Sequence, residues 1–435
     1  MQAFKVSTES SYYYYAHNGE LTLPLILKLT LDHPVDHDAA QIALTRAART
    51  YPQFSSRLAY VDGHFYYIEN DLPVVLYDAE DETCALGSAA TNHYQYRVWA
   101  ENSTLAIVVN HGLADGHFLW RFMATLLYYY GVERGLVKEG ERFEGISLEG
   151  DVAAPAFDPY VRYANTEQAP AGTPDIGPIF SLPVTYAEDR GDYRCHVDAL
   201  SMSFSQLRAA AKRVGSRVSP FVAALEAAAM REVWDTEGAS LIGPIMDDMR
   251  FFFEAPDVGN FSNWVIAVLP AQVAEADLAI QCGALQQSME VQLNAESMRG
   301  QMAGSLAKVA AECGKSLDEL FDSREKSLAT NRYTRQYISL DVSNVGGLVL
   351  PAPLAPLLRE AEYYMPSYST SIGLLMASVG DTLRMTITRS FDGDDFTLAF
   401  VRQLEGQDID VRLEDRGWRE FPTMGRDAVL ELEQL

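Results

Sequence analysis

The sequence predicts an α/β protein of two lobes, each a mixed β-sheet packed with helices. The chain of 435 residues is too long for one ordinary hydrophobic core. Strand-like and helix-like segments alternate in both halves, and a Pro-, Gly- and Ala-rich stretch without periodicity separates the halves. We therefore expect an N-terminal lobe over residues 1–150, a linker or crossover over 151–190 and a C-terminal lobe over 191–435.

In the first half, β-branched or alternating apolar runs predict strands, and apolar residues spaced three or four apart predict helices. Asp36 or Asp38 is a natural cap for the first helix. The predicted elements are a strand at 23–32, a helix at 36–50, a hairpin around Asp62-Gly63, a buried strand at 103–110 and a helix that contains Leu119 to Tyr130.

In the second half, Ser203 and Gln206 fit a capping box, Gly215 fits a helix end, and Ser219-Pro220 fits a helix start. The predicted elements are helices after Ser203 and from Ser219, a strand at 240–246, a second strand in "VGNFSNWVIAVLP", a mostly helical stretch at 276–330, a strand at 337–347 that enters a tight turn, a hairpin around Gly380-Asp381 and a helix at 395–406.

Charge and composition exclude several classes of function. The net charge is −26, from 60 acidic and 34 basic side chains. This balance argues against unaided binding to nucleic acid or to an anionic membrane. No stretch of about 18 apolar residues occurs, so no membrane span is expected. The four cysteines are far apart and no signal peptide is apparent, so we expect free thiols in a reducing cytoplasm.

Several catalytic signatures are missing from the sequence. It contains no GxSxG nucleophile elbow, no P-loop, no Rossmann glycine pattern and no HExxH. We therefore expect no nucleophilic serine of that type, no metal site and no tightly bound cofactor.

The most informative stretch is "VVNHGLADGHFLWRFM", residues 108–123. His111 ends the predicted buried strand and faces a loop of small residues, where a neutral imidazole could accept a proton from a hydroxyl or amine. The alternative is a core histidine satisfied by backbone hydrogen bonds, which is the commoner role of an arbitrary histidine. Asp115 is a natural N-cap for the next helix. It could also pair with an arginine and brace the loop.

The "HGLADG" stretch, His111 to Gly116, resembles the HxxxDG motif of the chloramphenicol acetyltransferase-like acyltransferase superfamily. That superfamily includes alcohol O-acetyltransferases, polyketide-associated acyltransferases and condensation domains of peptide synthetases. Three further stretches resemble it in the same order: "LTRAARTYPQFSSRLAYVDGHFYY", "GPIMDDMRFFFEAPDVGNFSN" and "DVSNVGG". One position departs, because Asn110 stands where many members carry a first histidine.

The resemblance implies two lobes with a channel between them and His111 as the general base. It also implies that Asp115 pairs with Arg250, and with Gly116 supports the motif, although Arg121 and Arg384 remain alternative partners. Backbone N–H groups near Gly112, or the Ser343-Asn344 turn, would stabilise the developing oxyanion. An ordinary Asn-containing turn is an equally good interpretation of Ser343 and Asn344.

The implied co-substrate is a thioester of coenzyme A or of a phosphopantetheine arm on an acyl-carrier protein, and the acceptor is a small molecule. The basic cluster "KRVGSR" (212–217) could meet a phosphate or a carrier protein, or could simply be a solvated helix end.

The sequence therefore predicts an acyltransferase. A freestanding condensation-type protein and a catalytically silent binding module remain alternatives, and a serine or metal hydrolase is a more distant one.

Overall fold

The computed structural model describes residues 3–16, 19–165, 176–255, 257–322 and 324–434. Part of the predicted linker, residues 166–175, lies outside the described residues.

The described residues form strands and helices in both halves of the chain. The strands are β1 (Ala3–Lys5), β2 (Pro24–Leu31), β3 (Ser56–Val61), β4 (His64–Glu69), β5 (Leu76–Tyr77), β6 (Tyr96–Glu101), β7 (Thr104–Asn110), β8 (Cys195–Ser203), β9 (Leu241–Asp248), β10 (Ser262–Leu269), β11 (Val342–Gly347), β12 (Leu358–Tyr364), β13 (Ile372–Val379), β14 (Thr382–Arg389), β15 (Val411–Arg419) and β16 (Val429–Glu431). The helices are α1 (Thr8–Ala16), α2 (His37–Thr50), α3 (Gly116–Glu133), α4 (Pro159–Tyr163), α5 (Phe204–Arg213), α6 (Val218–Val233), α7 (Leu278–Glu290), α8 (Ala295–Glu312), α9 (Leu317–Phe321), α10 (Arg324–Arg335) and α11 (Asp395–Glu405).

The predicted α/β class is confirmed, because the strands form three sheets packed with helices. One sheet has the order β12-β2-β7-β6-β5, a second has β10-β9-β11-β13-β14-β8-β15, and a small third has β1-β4-β3-β16. Each of the three sheets combines antiparallel pairs with a parallel pair. The parallel pairs are β5 with β6 in the first sheet, β11 with β13 in the second and β16 with β3 in the third. They are therefore mixed sheets, as predicted.

The two halves of the chain share sheets. Strand β12 pairs antiparallel with β2, and β16 pairs parallel with β3. Each late strand occupies backbone hydrogen-bonding groups that β2 and β3 would otherwise expose at a sheet edge. This exchange of strands was not predicted, because strand pairing over hundreds of residues leaves no local pattern in the sequence.

Strand β7 is central in its sheet and buried on both faces. Leu105, Ile107 and Val109 belong to the main core of the first half, whereas Ala106 and Val108 face a second apolar cluster. A strand covered on both faces has no polar side to present, which explains the unbroken apolar run. The rigid surroundings of β7 fix the position of the residue that follows it.

One local prediction is wrong. Ser343 and Asn344 lie within β11, which pairs in parallel with β13, and do not form a tight turn. The pairing register shifts between Asn344 and Gly346, and Gly346 has a φ of 88°. Asn344 Oδ1 accepts a hydrogen bond from the Gly346 N–H at 2.9 Å. An asparagine followed two residues later by a glycine with positive φ occurs in β-bulges as well as in turns, so the sequence alone does not distinguish the two.

Replacing Phe122 with alanine should destabilise the first half strongly. Phe122 is fully buried, and its ring stacks on Phe54 with centroids 3.9 Å apart. Loss of a buried aromatic side chain costs about 3–5 kcal/mol because of lost transfer free energy and the cavity left behind. The measurement is the free energy of unfolding from denaturant titration. Phe251→Ala is the control, since that side chain is 78% exposed and should change it little; equal effects would contradict the packing account.

Candidate active site

The loop after β7, residues 111–115 (the motif loop), is held by side chains on both sides. Asn110 Oδ1 accepts a hydrogen bond from the Gly112 N–H at 3.0 Å, and Asn110 Nδ2 lies 3.0 Å from Met424 Sδ. A Cβ at Gly112 would lie 2.7 Å from the ring of Tyr14, so only glycine fits there. Asn110 therefore organises the backbone that presents His111.

The His111 imidazole is buried, with 7% of the residue exposed. Its ring stacks on Tyr13 of α1 with centroids 4.2 Å apart and planes 2° from parallel. Asn260 Nδ2 donates to the His111 carbonyl oxygen at 2.7 Å and lies 3.3 Å from Nδ1. These contacts fix the ring from one face and from its Nδ1 side.

Burial lowers the pKa of His111 below its ordinary value of 6.5. A hydrogen bond to its own backbone carbonyl and the charge of Asp115 raise the pKa, but these effects are smaller. The imidazole is therefore neutral at pH 7. A neutral imidazole keeps a lone pair on one ring nitrogen, which is what a general base needs.

Both carboxylate oxygens of Asp115 accept hydrogen bonds from backbone or guanidinium donors. Oδ1 accepts from the Phe118 N–H at 2.9 Å and thereby caps α3. Oδ2 accepts from the Phe261 N–H at 2.8 Å and lies 2.9 Å from Arg250 Nη2. The Asp115 N–H donates to the Gly259 carbonyl at 2.9 Å.

Arg250 bonds to three groups in the second half and the motif loop. Besides Asp115, it contacts Asp248 Oδ1 at 3.0 Å through Nη1 and the Val258 carbonyl at 2.6 Å through Nη2. Burial alone would lower the pKa of Arg250, but the charges of Asp115 and Asp248 outweigh it and the pKa is raised. Arg250 is therefore a permanent cation in this network.

The two alternative arginines lie elsewhere. Arg384 pairs with Glu362 at 2.6 Å, and Arg121 Nη2 lies 3.4 Å from Ser147 Oγ. Arg250 is the arginine that the structure places on Asp115.

His117 is a site residue that the sequence analysis missed. Its Nδ1 lies 3.0 Å from Asp248 Oδ2, and its Nε2 lies 3.1 Å from the Val345 carbonyl oxygen. Both ring nitrogens thus face acceptors and must donate, which favours the protonated ring. The hydrogen bond with Asp248 accordingly raises the pKa of His117. Burial would raise the pKa of Asp248, but His117 and Arg250 outweigh it and lower that pKa to about 2.

His111 lies on the wall of a cavity of about 660 Å³ (the main cavity). Both halves of the chain line it, and aromatic and aliphatic side chains make up much of the wall. Residues of the first half in the wall include Tyr12, Tyr13, His111, Asp115, Gly116 and His117, and residues of the second half include Met246, Trp264, Lys308, Ser343, Asn344 and Val345.

The remaining predicted site residues divide into two groups. Ser343 and Asn344 line the main cavity with His111. Gly116 lines it too, and its carbonyl accepts from Tyr363 Oη at 2.9 Å. Gly112 is not in the cavity wall, and Asn110 already occupies its N–H.

The basic cluster at 212–217 lies at the end of α5 and the start of α6. Arg213 Nη2 donates to the Gln407 carbonyl at 2.5 Å, and Arg217 lies 3.4 Å from Glu290. The cluster does not line the main cavity. These contacts favour the interpretation as a solvated helix end.

Among the described residues, the side chains with metal-ligand spacing are His196, Asp198 and Asp415, on β8 and β15. They lie outside the main cavity, and Arg389 and Thr397 already bond to Asp198. None of the described helices combines the length and the apolar character needed to cross a bilayer.

No protein-family model matches the sequence, and no curated protein is significantly similar to it. Solved structures do match over nearly the whole chain. TRI101 from F. graminearum, complexed with coenzyme A and T-2 mycotoxin, is 13% identical with a TM-score of 0.60, and the match covers 94% of this chain and 100% of that one.

Two further structures extend this comparison. The TRI3 trichothecene 15-O-acetyltransferase from Fusarium sporotrichioides is 11% identical with a TM-score of 0.58, covering 93% of this chain and 94% of that one. The first condensation domain of the CDA synthetase is 14% identical with a TM-score of 0.54, covering 93% and 95%. The chain therefore has the chloramphenicol acetyltransferase-like fold that these acetyltransferases and condensation domains share.

Proposed function

We propose that the protein is an acyltransferase that moves an acyl group from a thioester donor to a hydroxyl or amine acceptor, with His111 as general base. The observation that carries this proposal is the buried, neutral imidazole fixed in the wall of a large cavity. Similarity in fold to a structure complexed with coenzyme A and a small molecule supports the two substrate classes.

In the proposed reaction, the acceptor oxygen or nitrogen attacks the thioester carbonyl carbon while His111 Nε2 takes its proton. The tetrahedral intermediate then collapses, the C–S bond breaks, and the departing thiolate receives that proton from the imidazolium. His111 returns to its neutral form, and no acyl-enzyme is required. Proton transfer by a positioned base typically contributes ~10²–10⁴-fold to the rate.

The negative charge that develops on the carbonyl oxygen needs a hydrogen-bond donor or a nearby cation. Ser343 and Asn344 are the better candidates for this role, because they line the main cavity with His111. Gly112 is less suitable, since its N–H donates to Asn110. Protonated His117 lies in the same wall, where it is paired with Asp248.

We further propose that Asp115, with Gly116 and Arg250, supports the motif and takes no part in proton transfer. Both oxygens of Asp115 are bound by backbone and guanidinium donors, and this arrangement holds the motif loop against the second half. The donor and acceptor would enter a channel between the halves from opposite sides, in keeping with the wall of the main cavity, to which both halves contribute.

A freestanding condensation-type protein is the second candidate. The similarity to a condensation domain favours it, and its donor would be an acyl-carrier protein. Thiol release from acyl-CoAs, compared with release from loaded carrier proteins across a panel of alcohols and amines, separates the two functions. Absence of turnover with every donor would favour a silent binding module.

His111→Ala should lower kcat/KM by ~10²–10⁴-fold, because the base that accepts the acceptor proton is lost. Thiol release measures the change, and circular dichroism verifies the fold. His37→Ala is the control, since His37 lies on α2 outside the main cavity and should keep full activity. Full activity of His111→Ala would refute the general-base role.

The pH dependence of kcat/KM should show a plateau above pH 7 and a fall on the acid side. The catalytic form is neutral, and burial lowers the pKa of His111 below 6.5, so the apparent pKa of the fall should also lie below 6.5. Initial rates between pH 5 and 9 test this prediction. An apparent pKa above 6.5, or a flat profile over an intact fold, would contradict it.

Asp115→Ala should lower the free energy of unfolding by about 3–5 kcal/mol, because it removes one of the two carboxylates paired with buried Arg250 and leaves two backbone N–H groups without their acceptor. The rate of thiol release should fall together with the stability. Glu139→Ala provides the comparison: Glu139 pairs with Arg46 at 2.7 Å but is 71% exposed, and its loss should cost less than about 1 kcal/mol. Normal stability of Asp115→Ala would show that the carboxylate does not brace the loop.

A further inference from the structure

Asp341 is a carboxyl group in the wall of the main cavity that the proposed reaction does not use. It immediately precedes β11 and lines the same cavity as His111. The residue is partly exposed although protein surrounds it, so its accessible surface is that of the cavity wall. Burial raises the pKa of Tyr13, whose ring stacks on His111, and the charge of Asp341 adds to this effect. The charge of Asp341 therefore reaches the side chain that packs on the proposed base.

The Asp341 carboxyl group has no cationic partner among the described residues. Thr370, in the same wall, is the side chain that forms a hydrogen bond with it. Burial raises the pKa of Asp341 to about 7, and the bond to Thr370 opposes this effect only in part. An ionised carboxylate away from water is costly unless a positive charge or several donors surround it. The described residues around Asp341 do not supply these groups.

A second carboxyl group adjoins Asp341 outside the cavity wall. Glu226 of α6 is fully buried, and its Oε1 accepts from the Asp341 N–H at 3.3 Å. Its Oε2 has no hydrogen-bond partner in the described structure. Burial, and then the charge of Asp341, raise the pKa of Glu226 well above its ordinary value of 4.5. Two carboxyl groups thus adjoin each other, and no cation in the described part of the chain balances either.

The cations that line the main cavity, among the described residues, are engaged elsewhere. Lys326 pairs with Glu312, and Lys308 Nζ lies 5.5 Å from the centroid of a tryptophan ring. The third cation, His117, is paired with an aspartate of β9. None of these charges contributes to the pKa of Asp341. A balancing cation must therefore come from a bound molecule.

A protonated amine meets these requirements. An ammonium offers three N–H donors, accepts no hydrogen bond and brings the missing positive charge. A carboxylate or phosphate would add another negative group, and a neutral hydroxyl would donate a hydrogen bond without balancing the charge. Tyr12, Tyr13 and Trp264 line the same cavity and offer aromatic surface to the remainder of such a molecule.

We propose that Asp341 binds a protonated amine carried by one of the two substrates. The inference rests on the proposed function and narrows its substrate class. This amine is a recognition group and not the attacking nitrogen, because an ammonium has no lone pair. Two sources have this chemistry: an acceptor that carries an amine besides its reacting hydroxyl or amine, and an acyl group that carries one.

Calorimetric binding of matched probes to the intact protein tests the subsite. Tyramine and tyrosol differ only in an ammonium that replaces a hydroxyl, as do 6-amino-1-hexanol and 1,6-hexanediol. For an acceptor amine, the wild type should bind the ammonium member of at least one pair about tenfold more tightly, because a charge-assisted hydrogen bond replaces a neutral one. Asp341→Asn should remove this preference and leave the affinity for the hydroxyl member unchanged.

Asp78→Asn is the matched control. It removes the same charge, but the Asp78 side chain is 95% exposed and lies outside the main cavity, so the preference for the ammonium should persist. Loss of the preference in this control as well would show that the net charge of the protein attracts the amine, and would overturn the proposal.

Two coenzyme A thioethers, which cannot transfer their groups, separate the sources. S-(2-aminoethyl)-coenzyme A carries an ammonium in place of the terminal methyl group of S-propyl-coenzyme A. If the wild type prefers the free amines, the acceptor carries the amine. If it prefers only the aminoethyl thioether, the acyl group carries it, and Asp341→Asn should abolish that preference. Equal affinity for both members of every pair, no binding of any probe, or a preference that Asp341→Asn retains overturns the proposal.

Thermal melting gives an independent check. Without ligand, Asp341→Asn should melt at the same or a higher temperature than the wild type, because it removes one of two adjoining carboxyl groups that no cation balances. A clear loss of stability would show that the protein itself satisfies the carboxylate, and would overturn the proposal. These measurements do not involve turnover, so absence of thiol release in the wild type would count against the proposed function alone.

Discussion

The buried carboxylate of Asp115 is the constraint on which the candidate site depends. An ionised carboxylate out of water must be surrounded by donors, and here they come from the start of α3, from the backbone just before β10 and from Arg250. Because these donors belong to both halves of the chain, satisfying one charge also sets the register between them. The position of the motif loop is fixed by this requirement. The loop's own sequence, which is rich in small residues, would not fix it.

The side chains around the motif loop differ in charge, and His111 is the neutral one. Arg250 and Asp248 are ionised, and His117 is held protonated between Asp248 and the Val345 carbonyl. Burial lowers the pKa of His111, and the charge of Asp115 opposes this effect only in part. Two histidines six residues apart thus differ in protonation through their surroundings alone.

The parts of this arrangement that were predictable from the sequence are local. An apolar strand, a following histidine and a helix cap leave signals within a few residues, so β7, His111 and the capping role of Asp115 could be inferred. Tyr13 and Asn260 left no such signal, since they reach His111 from 98 and 149 positions away along the chain. The prediction of a turn at Ser343-Asn344 is wrong for a local reason. The Asn344 side chain accepts a hydrogen bond from the N–H two residues later, and this pattern occurs in β-bulges as well as in turns.

The segment Gly259-Asn260 links the two faces of the motif loop. On one face, Asn260 donates to the His111 carbonyl oxygen. On the other, the Gly259 carbonyl accepts from the Asp115 N–H, and Gly259 packs against Leu113 and Gln53. Closely packed backbone of this kind is rigid, so the contacts that hold Asp115 and the contacts that position the His111 imidazole depend on one short segment. A Cβ at position 259 would lie 2.5 Å from the Leu113 carbonyl oxygen, so only glycine lets this segment pack directly against the motif loop.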